Sequence, residues 1–191
     1  MRLKNLPKAQ LDPEQLALYE AIAGGPRGKG KQLFPLVDAE GALTGPFGIM
    51  VHHPRLGMPL QILGSAIRYR TGLSDRVREI AILCVAQVTD SAFERYAHER
   101  VGRAAGLTEI ELSDLALGRF ASANPVEAIA YTFCHRLMAG DLPISDPIYA
   151  DLRHTIGEAT IFELVALVGY YRTLAQLLHV FDVGLPAESN A

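Results

Sequence analysis

Apolar residues recur along most of this chain at spacings of three and four, and the breaks between runs carry Ser, Thr, Asp or Asn beside Pro or an acidic residue. That period belongs to helices with one buried face, and the residues at the breaks are those that cap helix N-termini. Asp12-Pro13-Glu14-Gln15 opens the first helix: Asp12 stands as N-cap, Pro13 fits the first helical position, and Gln15 completes a capping box. Gly24-Gly25-Pro26 stops it near Ala23. After a short helical turn over 49–53, ended by Pro54, the pattern predicts a helix over 54–69 that carries Leu56, Leu60, Leu63 and Ile67. Further helices are predicted from Ser74 through Val88, from Asp90 or Ser91 to Gly106, and from the capping box Thr108-Glu-Ile-Glu111 to about Leu117. Asn124-Pro125 starts another that Gly140 closes, and segments 148–156 and 158–179 complete a set of about eight. The expected fold class is all-α, a helical bundle with essentially no strands.

Residues 24–48 break this pattern. Gly-Gly-Pro-Arg-Gly-Lys-Gly-Lys is followed by Asp38-Ala-Glu-Gly41 and Gly45-Pro-Phe-Gly48. A connection this long and irregular is either a mobile linker or a functional loop. Its Gly/Lys run lacks the Gly-Lys-Ser/Thr ending and the preceding strand of a phosphate-binding loop, so a solvated loop is the better reading. The short runs 33–38 and 43–47 fit a small hairpin. The chain thus divides into an N-terminal helix with a Gly/Pro-rich loop (1–48), a helical domain (49–186) and a flexible tail (187–191), expected to form one compact unit.

Composition narrows the partners. With 191 residues, 49% of them hydrophobic, the chain should bury roughly 70% of its unfolded surface and needs no staples. Lys and Arg number 18 against 21 Asp and Glu, a net charge of −3. Such a balance offers no broad attraction to phosphate backbones or anionic lipid, so neither nucleic acid nor membrane is an expected partner. The first residues do not form a signal peptide, and no run reaches eighteen uninterrupted apolar residues; segment 161–180 is broken by Glu163, Arg172, Gln176 and His179. A cytoplasmic location is expected. Cys84 and Cys134 each sit in an apolar stretch and read as small core hydrophobes, with a disulfide between them geometrically open. No closely spaced Cys/His set suggests zinc, and no metal is expected.

Candidate chemistry lies where ionisable groups interrupt apolar faces. Glu79 directly precedes seven uncharged, mostly apolar residues, 80–86, so its helix becomes buried from that point. Glu94 and His98 are four apart and share one helical face, which continues into Val101, Gly102 and Ala105. A carboxylate beside an imidazole fixes the ring's tautomer and favours its protonated form, while burial opposes charge; such a pair can move protons near neutral pH. The plain alternative is an ordinary Glu–His contact on an exposed helix, contributing a few tenths of a kcal/mol.

Read jointly, Glu79-Ile-Ala-Ile-Leu-Cys-Val-Ala, Phe93-Glu94-x-Tyr-Ala-His98 and Ala104-Ala-Gly-Leu-Thr resemble the core signature of the carboxymuconolactone decarboxylase and AhpD-like superfamily. The flanks agree: Leu43-Thr-Gly-Pro-Phe-Gly, His52-His-Pro-Arg-Leu, Leu164-Val-Ala-Leu-Val-Gly-Tyr-Tyr and Val180-Phe-Asp-Val-Gly-Leu-Pro resemble the longer, non-redox members. The resemblance spans roughly residues 40–186 and implies an AhpD-like bundle assembled as a homotrimer or homohexamer, with sites near subunit boundaries. Peroxidase members carry a Cys-x-x-Cys pair where this chain has Ser91 and Glu94. A hydroxyl and a carboxylate cannot form a disulfide or resolve a sulfenic acid, so thiol peroxidase activity is disfavoured. The decarboxylase-like branch instead implies acid/base work by Glu and His on small acids or lactones. Two positions depart from that branch: Arg95 stands where Trp is common, and His179 where Asn is expected.

These features give Glu79, Glu94 and His98 as candidate catalytic residues, with His98 as general acid or base, Glu94 orienting it and Glu79 as its partner. His52, Arg95 and His179 are candidate substrate contacts, each with a rival reading. His52 either lines the pocket mouth or ends a helix at the surface; Arg95 holds a substrate carboxylate or faces water. His179 lies at a pocket floor or complements a helix dipole. The expected activity is cofactor-independent decarboxylation, isomerisation or lactone hydrolysis of a small carboxylated ring-cleavage-type compound. A vinylogous lactone supplies its own electron sink, and the sequence carries no cofactor motif. The competing class is a non-enzymatic helical oligomer, since fold alone does not carry function.

Overall fold

The computed structural model describes residues 2–29 and 32–186; the tail expected over 187–191 lies outside them. Among the described residues the regular elements are all helices, with no strand. The elements are α1 (Pro13–Ala23), α2 (Gly45–Met50), α3 (Pro54–Tyr69), α4 (Asp75–Val88), α5 (Ala92–Ala104), α6 (Glu109–Ala116), α7 (Pro125–Ala139) and α8 (Asp146–Val180).

Local chemistry sets most of these boundaries. In α1 the Gln15 amide donates to the Asp12 carboxylate at 2.9 Å, and the Asp12 amide donates back to the Gln15 side chain at 3.0 Å. Thr108 and Glu111 repeat the box at α6, and Ser74 and Asn124 accept from the first-turn amides of α4 and α7. Each device satisfies amides that a helix start leaves bare. Helix α8 is broken at Gly157, where φ is +78°, so residues 148–156 and 158–179 form the two helical stretches that the sequence pattern separates. Helix α2 starts earlier than the turn expected at 49–53. Gly45 takes φ +57°, and a Cβ there would run into the Phe93 ring, so only glycine turns the chain into the helix at this point. The expected hairpin is reduced to one bridge, Val37 with Leu43, because the second arm enters α2 immediately afterwards.

Helix α4 is the centre of the bundle. Every residue from Val77 to Ala86 is buried, and α5, α6, α7 and α8 all pack against it. A helix apolar on every side belongs in such a position. The second stretch of α8 supplies Leu164, Leu167, Leu174 and Ala175 to the same core. Helix α8 is long and apolar enough to cross a membrane by composition alone, but this face is taken up by packing against α2, α3, α4 and α7.

One charged network pins the periphery to this centre. Arg76 at the start of α4 bonds Glu127 of α7 at 2.7 Å, Glu111 of α6 at 2.6 Å and the Gly106 carbonyl at 2.5 Å. Its guanidinium holds the Glu111 carboxyl down at about 2. The Asn124-Pro-Val-Glu127 spacing reads as a further capping box, but only Asn124 caps α7, and the Glu127 side chain turns to Arg76 on another helix.

Leu167 is fully buried in the α8 face of the core. Leu167→Ala should lower unfolding stability by about 2–5 kcal/mol through lost transfer energy and a residual cavity, read as a reduced midpoint in chemical denaturation with helicity retained.

Candidate active site

Helices α4 and α5 cross so that Glu79, Glu94 and His98 meet. Glu79 is 0% exposed, Glu94 3% and His98 6%. The His98 Nδ1–H donates to Glu79 Oε2 at 2.6 Å. On the other side of the ring, Nε2 lies 3.4 Å from Glu94 Oε2. The shorter contact is thus to Glu79 on the neighbouring helix, whereas the sequence pattern pointed to Glu94 as the orienting group. Glu79 Oε1 is flanked by Arg68 Nη1 and Arg78 Nε, each at 3.7 Å. Tyr171 of α8 closes the cluster, its ring edge-on to the imidazole with centroids 5.1 Å apart.

Burial pushes the His98 imidazole toward neutrality. The Glu79 carboxylate, by charge and by hydrogen bond, and then Glu94, outweigh that cost and raise the pKa from 6.5 to about 9. His98 is therefore an imidazolium at neutral pH, held between two carboxylates.

Glu94 and His98 open onto a cavity of about 290 Å³, and Arg68, Phe93, Tyr170 and Tyr171 also line it. Its remaining wall comes from the Gly/Pro-rich segment, through Arg27, Lys29 and Phe34, and from Phe47 of α2. The loop that sequence could not place therefore borders the site. Glu94 Oε1 is buried and has no hydrogen-bond partner among the described residues. A free acceptor beside a cationic donor in a small, largely apolar cavity is an arrangement that can take and return a proton.

The three expected substrate contacts are not at this cavity. Arg95 is exposed: it follows Glu94 directly, and one step along a helix rotates the side chain outward. His179 Nε2 donates to the Thr89 carbonyl at 2.8 Å, satisfying an acceptor at the end of α4. His52 Nε2 donates to the Lys4 carbonyl at 2.9 Å and ties the N-terminal segment to the end of α2. The cations that do line the cavity, Arg27, Lys29 and Arg68, were not singled out by sequence. Arg68 sits on a helix that reads as apolar, and Arg27 in a loop with no period.

Residues 56–130 match the sequence profile of the Carboxymuconolactone decarboxylase family. This segment is similar to that family. It contains Glu79, Glu94 and His98. No curated protein matches the chain in sequence. Among solved structures, a peroxidase-related protein from Ralstonia eutropha JMP134, described as an alkylhydroperoxidase AhpD core, superposes with a TM-score of 0.76 at 13% identity, covering 98% of this chain and 92% of that one. Debrominase Bmp8, as a cysteine-to-alanine variant in complex with 2,3,4-tribromopyrrole, gives 0.73 at 11% identity, with 98% and 92% covered. Apo Bmp8 gives 0.71 at 11%, with 96% and 91% covered. Likeness at this identity is one of fold, and the fold is AhpD-like.

Within the carboxymuconolactone decarboxylase segment, Ser91 is buried and its hydroxyl has no partner among the described residues. Cys84 and Cys134 are free and buried in the core. Burial pushes the Cys84 thiol up to about 12 and Cys134 well above its ordinary range, which leaves neither as a thiolate nucleophile. Among the described residues no group of three or more His, Cys, Asp or Glu side chains is arranged to hold a metal ion.

The raised pKa has a measurable consequence. Because the folded value lies above the unfolded one, the imidazolium's contribution to stability is complete below pH 6.5 and disappears as pH rises through about 9. The stability advantage of the parent over His98→Gln should shrink across that window, and the ring should titrate near 9 by NMR. A midpoint at 6.5 would remove the coupling to Glu79.

Proposed function

We propose that the protein is a cofactor-independent acid/base enzyme that moves a proton next to the carbonyl of a small carboxylated lactone or ring-cleavage-type acid. The observation that carries this reading is Glu94 Oε1, a buried acceptor without a partner among the described residues, on a side chain that lines the cavity beside the His98 imidazolium.

In the reaction, Glu94 removes the proton α to the substrate carbonyl, and the C–H electron pair moves into the carbonyl to give an enolate. Developing negative charge on the oxygen is offset by the imidazolium, which Glu79 holds in place through Nδ1. Return of the proton to the vinylogous carbon gives the isomer. Where that carbon system instead carries a carboxylate, C–C cleavage releases carbon dioxide, its electron pair enters the conjugated lactone, and the carbanion takes a proton from the His98 imidazolium, which solvent then reprotonates. The substrate provides the electron sink. Low dielectric around the buried Glu94 and His98 strengthens each of these charge interactions.

This assignment moves the base role from His98, where the sequence pattern put it, to Glu94, and the orienting role from Glu94 to Glu79. It rests on the 2.6 Å and 3.4 Å contacts of the two ring nitrogens.

Self-association is part of the same reading. Leu56, Ile62 and Leu63 on α3 and Phe162 and Val165 on α8 are exposed on the single chain, apolar side chains that a subunit contact would cover. A trimer or a hexamer of two trimers is expected in sedimentation, and a stable monomer at micromolar concentration would overturn it.

Screening the purified chain against muconolactones and related acids tests the activity. Glu94→Gln and His98→Gln should each lower turnover by about 10²–10⁴-fold, with unchanged circular dichroism. Turnover should also fall as pH rises through about 9, where the imidazolium is lost. Full activity in Glu94→Gln would refute the base assignment.

A further inference from the structure

The acid/base reading leaves part of the cavity wall unused. Arg27, Arg68 and Tyr170 line the same space as Glu94 and His98, and three observations bring them to one point. Tyr170 is 4% exposed, and its hydroxyl lies against the Arg27 guanidinium, a donor that leaves the phenol's own O–H unpaired among the described residues. A Cβ on Gly64 would collide with both the Tyr170 hydroxyl and the Arg27 guanidinium, so these two groups converge on the α3 backbone at that residue. Arg68 stands four residues further along α3, on the same helical face as Gly64.

Both arginines are held but not neutralised by direct bonds. Arg27 lies over the Phe47 ring at 5.1 Å and near the Tyr69 ring at 6.0 Å, and no carboxylate pairs with it among the described residues. Arg68 stands 5.9 Å from the Tyr69 ring and reaches Glu79 only at 3.7 Å. Aromatic faces hold a guanidinium while leaving its N–H donors free. The cations Arg27, Lys29, Arg68 and His98 also outnumber Glu94 and the Glu79 behind it.

We propose that Arg27, Arg68 and the Tyr170 hydroxyl form an anion subsite that holds the carboxylate of a single-ring ligand. Guanidinium donors match a carboxylate's two oxygens, and the phenol adds a further donor. The cavity, about 290 Å³, lies at the small end of ligand pockets, which suits one ring between the subsite and Glu94. The choice of Glu94 as the reactive end rests on the acid/base reading; the subsite itself does not. Gly64 and Arg68 fall inside the carboxymuconolactone decarboxylase segment, whereas Arg27 and Tyr170 lie outside residues 56–130. Anchoring is therefore assembled in large part from the flanks of this chain.

Calorimetric titration of the intact chain with benzoate and with benzamide, its neutral counterpart, tests the subsite. Benzoate should bind at least about tenfold more tightly, and Arg27→Gln and Arg68→Gln should each weaken it by about tenfold, the loss of one charge-assisted hydrogen bond. Arg27 lies on a surface segment, so its variant keeps the fold even if Arg68→Gln disturbs Glu79. Tyr170→Phe should weaken benzoate by a smaller factor. Glu94→Gln should bind benzoate at least as tightly as the parent. That result supports the subsite whether or not turnover is lost, whereas retained turnover in the same variant would refute only the acid/base assignment. Absence of benzoate binding, equal affinity for benzamide, or an Arg27→Gln variant that binds benzoate like the parent would overturn the proposal.

Discussion

A carboxylate with no exposed surface must find a counter-charge inside the protein, and the Glu79–His98 contact is how this fold meets that requirement. Leaving such a group unpaired costs several kcal/mol. The two guanidiniums beside Glu79 stand at 3.7 Å, too far for direct hydrogen bonds, so the 2.6 Å bond from His98 is the closest compensation. That bond fixes the crossing of α4 and α5 and the rotation of the imidazole. It also decides which nitrogen is left for chemistry: with Nδ1 committed to the core, Nε2 is presented to Glu94 and the cavity.

The same constraint explains why the cavity is placed beside the central helix. Every side of α4 from Val77 to Ala86 is covered, so the Glu79 carboxylate can act only through a neighbour. His98 carries the effect of Glu79 outward by one ring, and Tyr171, stacked edge-on against it, blocks the remaining approach. Tyr170, next in the chain and edge-on to Tyr171 at 5.3 Å, faces the cationic part of the wall. One turn of α8 therefore touches both ends of the cavity, and the position of that helix sets the distance between them.

Much of this was legible in the amino-acid order. Capping boxes at Asp12 and Thr108, prolines at first helical positions and the break at Gly157 are local effects, and local effects are written locally. The burial of Glu79, Glu94 and His98 follows from the apolar faces around them. What the order does not contain is the angle at which α4 meets α5, and that angle makes Glu79 rather than Glu94 the closer partner of the imidazole. Arg95 and His179 stood out as departures from a family pattern, but one faces solvent and the other closes the end of α4. Arg27, Arg68 and Tyr170 were passed over because they are distant in sequence and come together only through Gly64.

The unperiodic segment around Arg27 has a bearing on how such a molecule can diverge. Its residues form part of the cavity wall without touching Glu79 or the crossing of α4 and α5. Apart from Leu36 and Phe34, which pack against the core, positions there can change with little demand from the interior. Descendants of one catalytic interior can then acquire different appetites by exchanging this rim, much as one tool body accepts many bits.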